Sequence, residues 1–318
     1  MTDEREQIPG VQLRPMGIGE ILDGAVRLYR QNFLLFFGVT AVVHVPLTLL
    51  MMYLTSEKQY EMVMLLPEMA QSNGSPDAAL DVLRRMIGIL GSLVLYSAPL
   101  QLVFQPMATG ALLIAANRRL QGQPTTILGA YSALWTLFWG FFVAVLLAGL
   151  AWALGLFFCI APGVIVAIMF ALTAEAAIVE RRGGTRAIGR AVELARNEWG
   201  KIFLLGLILW VLIWVFSWGT NQLSELIFGV DIDDPDSVTI TGIAITTFVA
   251  GLTQILTIPF WGVAWLMLFY DVKVRKEGYD IEVMAKALEQ ALPPAEPPAP
   301  GGDLPPPIEP GGGRGPEA

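Results

Sequence analysis

Side chains able to carry chemistry are scarce in this chain. Cys159 is the one cysteine among 318 residues. An intrachain disulfide is therefore impossible, and so is a metal site built on cysteines. His44 is the one histidine, which removes most histidine-dependent metal sites and leaves few routes to a Ser-His-Asp triad. Charged residues make up only 15% of the chain, against about 25% in a typical soluble domain. The sequence has no phosphate-cradling Gly-Lys-Ser loop, no His-Glu-x-x-His and no Gly-x-Ser-x-Gly. Residues 1–17 hold Asp3, Glu4, Arg5, Glu6 and Pro9 but no apolar core, so no signal peptide is read there. These absences argue against an enzyme and against a cofactor or resident metal, and no nucleic-acid partner is expected.

What the chain has in abundance is apolar sequence. Hydrophobic residues reach 54% and the mean hydropathy is +0.58, which a water-exposed surface of ordinary size does not permit. A membrane-spanning helix needs roughly 20 mostly apolar residues to cross about 30 Å of hydrocarbon. Six segments qualify: residues 33–54, 86–116, 134–156, 160–179, 202–223 and 240–270. Taken as one helix, the third and fourth would run about 68 Å at 1.5 Å per residue. A tight hairpin punctuated by Pro162-Gly163 is the better reading. The fold class predicted is all-α: a polytopic membrane protein of six helices, arranged as three hairpins with short amphipathic helices on the cytoplasmic side.

Basic residues set the orientation, because cytoplasmic loops are rich in Lys and Arg. With both termini in the cytoplasm, only Lys58, Arg84 and Arg85 of the 20 basic residues fall outside. The last outer loop then carries Glu225, Asp231, Asp233, Asp234 and Asp236 and no basic residue. Those carboxylates are the nearest thing to a divalent-cation site, and a solvated acidic turn is the commoner explanation. The tail 293–318 is mostly Pro, Gly and acidic residues, a composition that cannot offset ordering entropy, and it is expected to be disordered.

The three hairpins repeat. Each opens on an amphipathic segment: Ile18 to Tyr29 before the first span, Ile127 to Leu134 before the third, Ile188 to Ala195 before the fifth. The first and last share Ala-Val-x-Leu-x-Arg, at Ala25 to Arg30 and Ala191 to Arg196. Each even-numbered span holds a proline (Pro106, Pro162, Pro259), and each leads into a basic pair and then a glycine, a helix-stop signal. A further amphipathic stretch runs from Ile281 to Leu292. Such segments either lie in the membrane interface or pack against the end of the bundle.

The opening Leu13-Arg14-Pro15-Met16-Gly17-Ile18-Gly19-Glu20-Ile21-Leu22-Asp23, with Arg27-Leu28-Tyr29-Arg30 and Asn32-Phe33, resembles the start of bacterial "glycerophosphoryl diester phosphodiesterase membrane domain" proteins. Tyr270-Asp271-Val272-Lys273-Val274-Arg275-Lys276-Glu277-Gly278-Tyr279-Asp280 is similar to that domain's end. Pro162-Gly163, Glu180 and Ala191-Val192 through Trp199 fit its middle. The resemblance covers about residues 12–285 and implies a membrane fold rather than a defined activity. The soluble catalytic barrel, about 250 residues in size, has no counterpart in this sequence.

Ionisable and polar groups at membrane depth are the default functional candidates. They are His44, just before Pro46; Gln101 and Gln105, one turn apart beside Pro99 and Pro106; and Glu175, near the end of the fourth span. Asn221, Gln222 and Gln254 complete the polar set. They either line a cavity or make interhelical hydrogen bonds, with Glu175 reaching the interface near Arg181 and Arg182. A second group, Arg181, Arg182, Arg186, Arg190 and Arg196, is placed to contact anionic lipid headgroups, with Ile188, Ala191, Val192 and Ala195 set into the headgroup boundary. The leading expectation is a structural or regulatory protein of the bacterial plasma membrane that organises lipids or a partner membrane protein. The alternative is a small-molecule or lipid transporter, and a lipid-acting enzyme ranks third.

Overall fold

The computed structural model describes residues 15–71, 76–228 and 238–277. The acidic turn 231–236, the stretch 281–292 and the tail 293–318 lie outside them. Every element among the described residues is an α-helix: α1 (Ile18–Gln31), α2 (Phe33–Gln71), α3 (Pro76–Leu120), α4 (Ile127–Phe158), α5 (Ile160–Phe170), α6 (Thr173–Val179), α7 (Thr185–Ala195), α8 (Trp199–Phe228) and α9 (Ile240–Glu277). Six helical stretches are long and apolar enough to cross a membrane. The protein is an all-α, multi-pass membrane protein whose hairpins are α2/α3, α4/α5–α6 and α8/α9.

Local chemistry explains the boundaries. Glu20 caps α1 by accepting the Gly17 N–H at 2.7 Å, one half of a capping box. Thr126 caps α4 through the Gly129 N–H. α3 ends in paired bonds from Gln123 N–H to Arg118 O and from Gly122 N–H to Arg119 O, with Gly122 at φ 72°. That is the Schellman arrangement, and it suits a residue without Cβ. Only Cys159 separates α4 from α5. The turn is that tight because Gly155 and Gly163 leave their backbones in contact, where a Cβ on Gly155 would sit 3.0 Å from the Gly163 Cα.

One expectation needs correction and two are refined, the fourth span keeping its bounds Ile160–Val179. The segment 127–134 is no separate interfacial helix; it is the first turns of α4, since nothing after Thr126 breaks the helix. The fourth span is not continuous: it breaks at Ala171-Leu172, where Ala171 N–H bonds Ile168 O in a tighter, three-residue turn. Finally, α2, α3 and α9 run well past their apolar stretches, because hydropathy marks only the part that hydrocarbon requires.

α1 and α7 bear out the internal repeat in their packing. α1 buries Ile21, Ala25 and Leu28, and α7 buries Ala187, Ala191 and Leu194. These are the same positions of the shared pattern. Both helices rest on the bundle, α1 against α9 and α7 against α6, α5, α4 and α9. α7 is thus a helix packed on its own protein, not one whose apolar face is free to enter the headgroups.

The core lies at the end of the bundle where α1, α7 and the basic clusters gather, called here the basic end. Gly262 to Val272 of α9 and Gly110 to Ala116 of α3 are buried without interruption, so these helices are enclosed on every side there. Farther along, burial thins: no residue in the most apolar stretch of α3 is buried inside the protein. Its outward side chains, such as Val94, Leu95 and Leu102, are exposed, as lipid-facing positions of a span are.

Candidate functional site

Beyond the core, α2, α3 and α9 enclose a cleft of about 340 Å³. α2 contributes His44, Leu47, Thr48, Met51, Thr55 and Gln59; α3 contributes Leu93, Ser97, Gln101 and Gln105; α9 contributes Thr247, Ala250, Gly251 and Gln254. On each helix these positions recur every three or four residues, the period of one helical face. His44 stands about 16 Å along α2 from Phe33 at 1.5 Å per residue, which puts the cleft within the membrane-spanning depth.

Prolines accompany the cleft on all three helices: Pro46, Pro99, Pro106 and Pro259. A proline offers no N–H to the carbonyl four residues back, so Val42, Leu95, Leu102 and Ile255 lose their helical donor. Near Pro259 a neighbour takes part, for the Tyr29 hydroxyl donates to Leu256 O at 3.0 Å. Such help from an adjacent helix lets a proline persist in a span. Gly251 sets the α2–α9 distance. A Cβ there would meet the Thr48 side chain at 2.3 Å.

Two polar contacts bound the cleft. At the basic side His44 is buried, with Nδ1 3.1 Å from Thr40 O and Nε2 3.0 Å from the Gln105 amide. A carbonyl only accepts, so Nδ1 donates to Thr40 O, while Nε2 faces Gln105 Oε1 across the α2–α3 seam. At the far side Gln59 donates to Thr55 Oγ1 at 2.9 Å and accepts from the Thr247 hydroxyl at 3.3 Å. Between them Ser97, Gln101 and Gln254 make no side-chain hydrogen bond to the described residues. Gln101 and Gln254 are exposed at the cleft's mouth.

The structure thus brings His44, Gln101 and Gln105 together and leaves Glu175 elsewhere. Glu175 is buried on α6, with Oε2 lacking a partner among the described residues. It does not reach Arg181 or Arg182; Arg182 pairs with Glu180 at 2.9 Å. Thr48, Thr55, Gln59, Ser97 and Thr247 also line the cleft and were not singled out from sequence. Their signal was legible: weakly polar residues at helical spacing in apolar runs.

The arginines need a further correction. Arg190 is 7% exposed and grips Glu180 through Nε and Nη2 at 2.9–3.1 Å. It also pairs with Glu193 at 3.0 Å and with Glu277. It is therefore an intramolecular tie, not a free lipid contact. Lys273 joins at 3.2 Å from Glu180. Burial alone would raise the Glu180 carboxyl's pKa, but Arg190 and Lys273 outweigh it and hold that carboxyl below its ordinary value. Arg181, Arg186 and Arg196 remain exposed.

Another tie closes the basic end. The fully buried Asp271 accepts from Met16 N–H at 2.6 Å and from Arg275 Nε at 3.2 Å, and it pairs with Lys201. Lys201 and Arg275 also donate to Met16 O at 2.6 and 2.9 Å. α8, α9 and the chain just before α1 are locked together at one carboxylate.

No family model matches this chain, and no curated protein and no solved structure does either.

Proposed function

We propose that this membrane protein takes a small hydrogen-bonding molecule into the α2/α3/α9 cleft and acts as a transporter or permease-like protein. The observation that carries this reading is the cleft itself: about 340 Å³ at membrane depth, with unpaired amide and hydroxyl groups on its wall. The prolines of α2, α3 and α9 lie inside continuous helices around this polar site and leave carbonyls without helical donors there. A non-enzymatic role is part of the proposal. It rests on His44, whose two ring nitrogens are taken by Thr40 and Gln105, leaving no base for a nucleophile.

The same proposal covers membership of the "glycerophosphoryl diester phosphodiesterase membrane domain" proteins. In its support, the residues that carry the likeness at the two ends of the chain meet at Asp271 and Met16. It also covers a bacterial plasma membrane location with the basic end in the cytoplasm, supported by where the Lys and Arg residues gather. The role as a lipid or partner organiser keeps the exposed Arg181, Arg186 and Arg196 but loses Arg190.

Thiol accessibility tests the cleft. In a Cys159→Ser background, cysteines at Ser97 and Thr247 should react readily with a small neutral methanethiosulfonate, because reaction needs a hydrated thiolate. Cysteines at the fully buried Leu113 and Phe269 should not. If Ser97→Cys reacts as slowly as Leu113→Cys, the cleft is dry and the reading fails.

A further inference from the structure

Among the described residues, the cleft differs from three other pockets in having no carboxylate, lysine or arginine on its wall. One pocket of about 500 Å³ is lined by Lys58, Glu61, Glu68 and Arg85. Another, of about 410 Å³ at the basic end, is lined by Glu180, Arg182, Arg190, Lys273 and Glu277. The lining of the middle cleft includes no carboxylate, lysine or arginine. An ion seated on this wall would find no counter-charge, whereas a neutral ligand needs none. The occupant is therefore uncharged.

Its free groups are amides and a hydroxyl. Gln101 and Gln254 each offer a donor and an acceptor, and Ser97 does both with one atom. Groups of that kind match hydroxyls on a ligand, which also donate and accept. Leu47, Met51 and Leu93 supply an apolar wall.

The mouth decides how the occupant arrives. Gln101 is followed by the exposed Leu102 (50%), and Gln254 lies two residues after the exposed Leu252 (39%). α3 has no buried residue along its most apolar stretch, so the mouth is flanked by a surface that lipid covers. A ligand seated there with its polar end on the glutamines has hydrocarbon beside it, not water.

We infer that the cleft binds an uncharged, hydroxyl-bearing lipid headgroup, with the acyl chains lying along the exposed face of α3 beside Gln101 and Leu102. This rests on the cleft being a binding site, as proposed above, and adds the ligand's chemical class and its route from the bilayer.

The test is binding of short-chain lipids to the purified full chain in detergent, followed by native mass spectrometry. Dioctanoylglycerol should bind saturably. Its phosphorylated counterpart, dioctanoyl phosphatidic acid, should bind at least about tenfold more weakly, since a charge is unpaired in the cleft. Gln101→Leu with Gln254→Leu should weaken dioctanoylglycerol about tenfold through two lost hydrogen bonds, and Ser97→Ala a few-fold. The double variant and Ser97→Ala should melt like the parent, which separates lost binding from lost fold. Equal binding of dioctanoylglycerol to parent and double variant overturns the inference, as does stronger binding of the phosphatidic acid. If free glycerol binds as tightly as dioctanoylglycerol, the lipid route falls while the solute-binding reading stands. If Ser97→Cys proves dry, both fall.

Discussion

At the basic end, two networks of charged side chains, around Asp271 and around Glu180, are buried and paired; in the cleft the side chains of Ser97, Gln101 and Gln254 have no partner among the described residues. α3 and α9 pass through both regions. α9 carries the enclosed Asp271 at one level and the exposed Gln254 at another. α3 carries Asn117, which accepts from the Tyr270 hydroxyl at 2.5 Å, and, farther along, Gln101 with no partner among the described residues. The basic end has the marks of a lock: α1, α7, α8 and α9 meet there, and ion pairs hold them in one register. The cleft is held open, since prolines and the Thr48–Gly251 contact space the helices without filling the gap. On the proposal made above, stability and binding belong to different levels of one bundle.

The contrast predicts a ranking of mutational effects. The largest should come from Asp271→Ala, which strands Lys201, Arg275 and the Met16 N–H. Breaking a buried pair by removing one partner costs about 3–5 kcal/mol, so the yield of folded protein and the melting temperature in detergent should both drop sharply. A parent-like melting curve would show that the lock is ornamental. Next comes Arg190→Met, which leaves Glu180 with Lys273 and Arg182 alone. A hydrogen bond to a charged group is worth about 1.5–3 kcal/mol, and a loss of that size is expected in chemical denaturation.

Gly251→Ala should cost about 1–3 kcal/mol by overpacking against Thr48, and it should also slow thiol labelling at Ser97→Cys by narrowing the cleft. Unchanged labelling would mean that the α2–α9 spacing does not control access. The smallest effect belongs to Gln101→Leu and Gln254→Leu. These side chains hold nothing in the fold, so stability should stay within about 0.5 kcal/mol of the parent. A larger loss would place them in the lock rather than in the site.

Acid should act on the basic end through Glu180. Glu180 has its pKa held below the ordinary 4.5 in the folded chain. Its stabilising contribution is therefore complete above that value and is lost as pH falls through the depressed one. Melting temperatures measured from pH 7 downward should hold until about pH 4.5 and then fall, and Glu180→Gln should flatten the decline. A pH-independent melting curve would remove Glu180 from the lock.

Much of this arrangement was legible in the sequence because it rests on chemistry within a single helix. Six long apolar runs, the stop signals at Arg118-Arg119 and Gly122, the turn at Cys159 and the Ala-Val-x-Leu-x-Arg repeat all depend on neighbours a few residues apart. Hydrocarbon length and helical periodicity decide them locally. His44, Gln101 and Gln105 stood out for the same reason, as polar residues in apolar runs. What the sequence could not decide was pairing across the fold. Nothing local says that Arg190 faces Glu180 and Glu277 rather than a lipid phosphate, or that Met16 meets Asp271 across 255 positions. Likewise, Gln59 of α2 bonds Thr247 of α9 while Gln101 and Gln254 have no partner among the described residues. Those choices depend on which helix faces are brought together, and only the packed bundle fixes that.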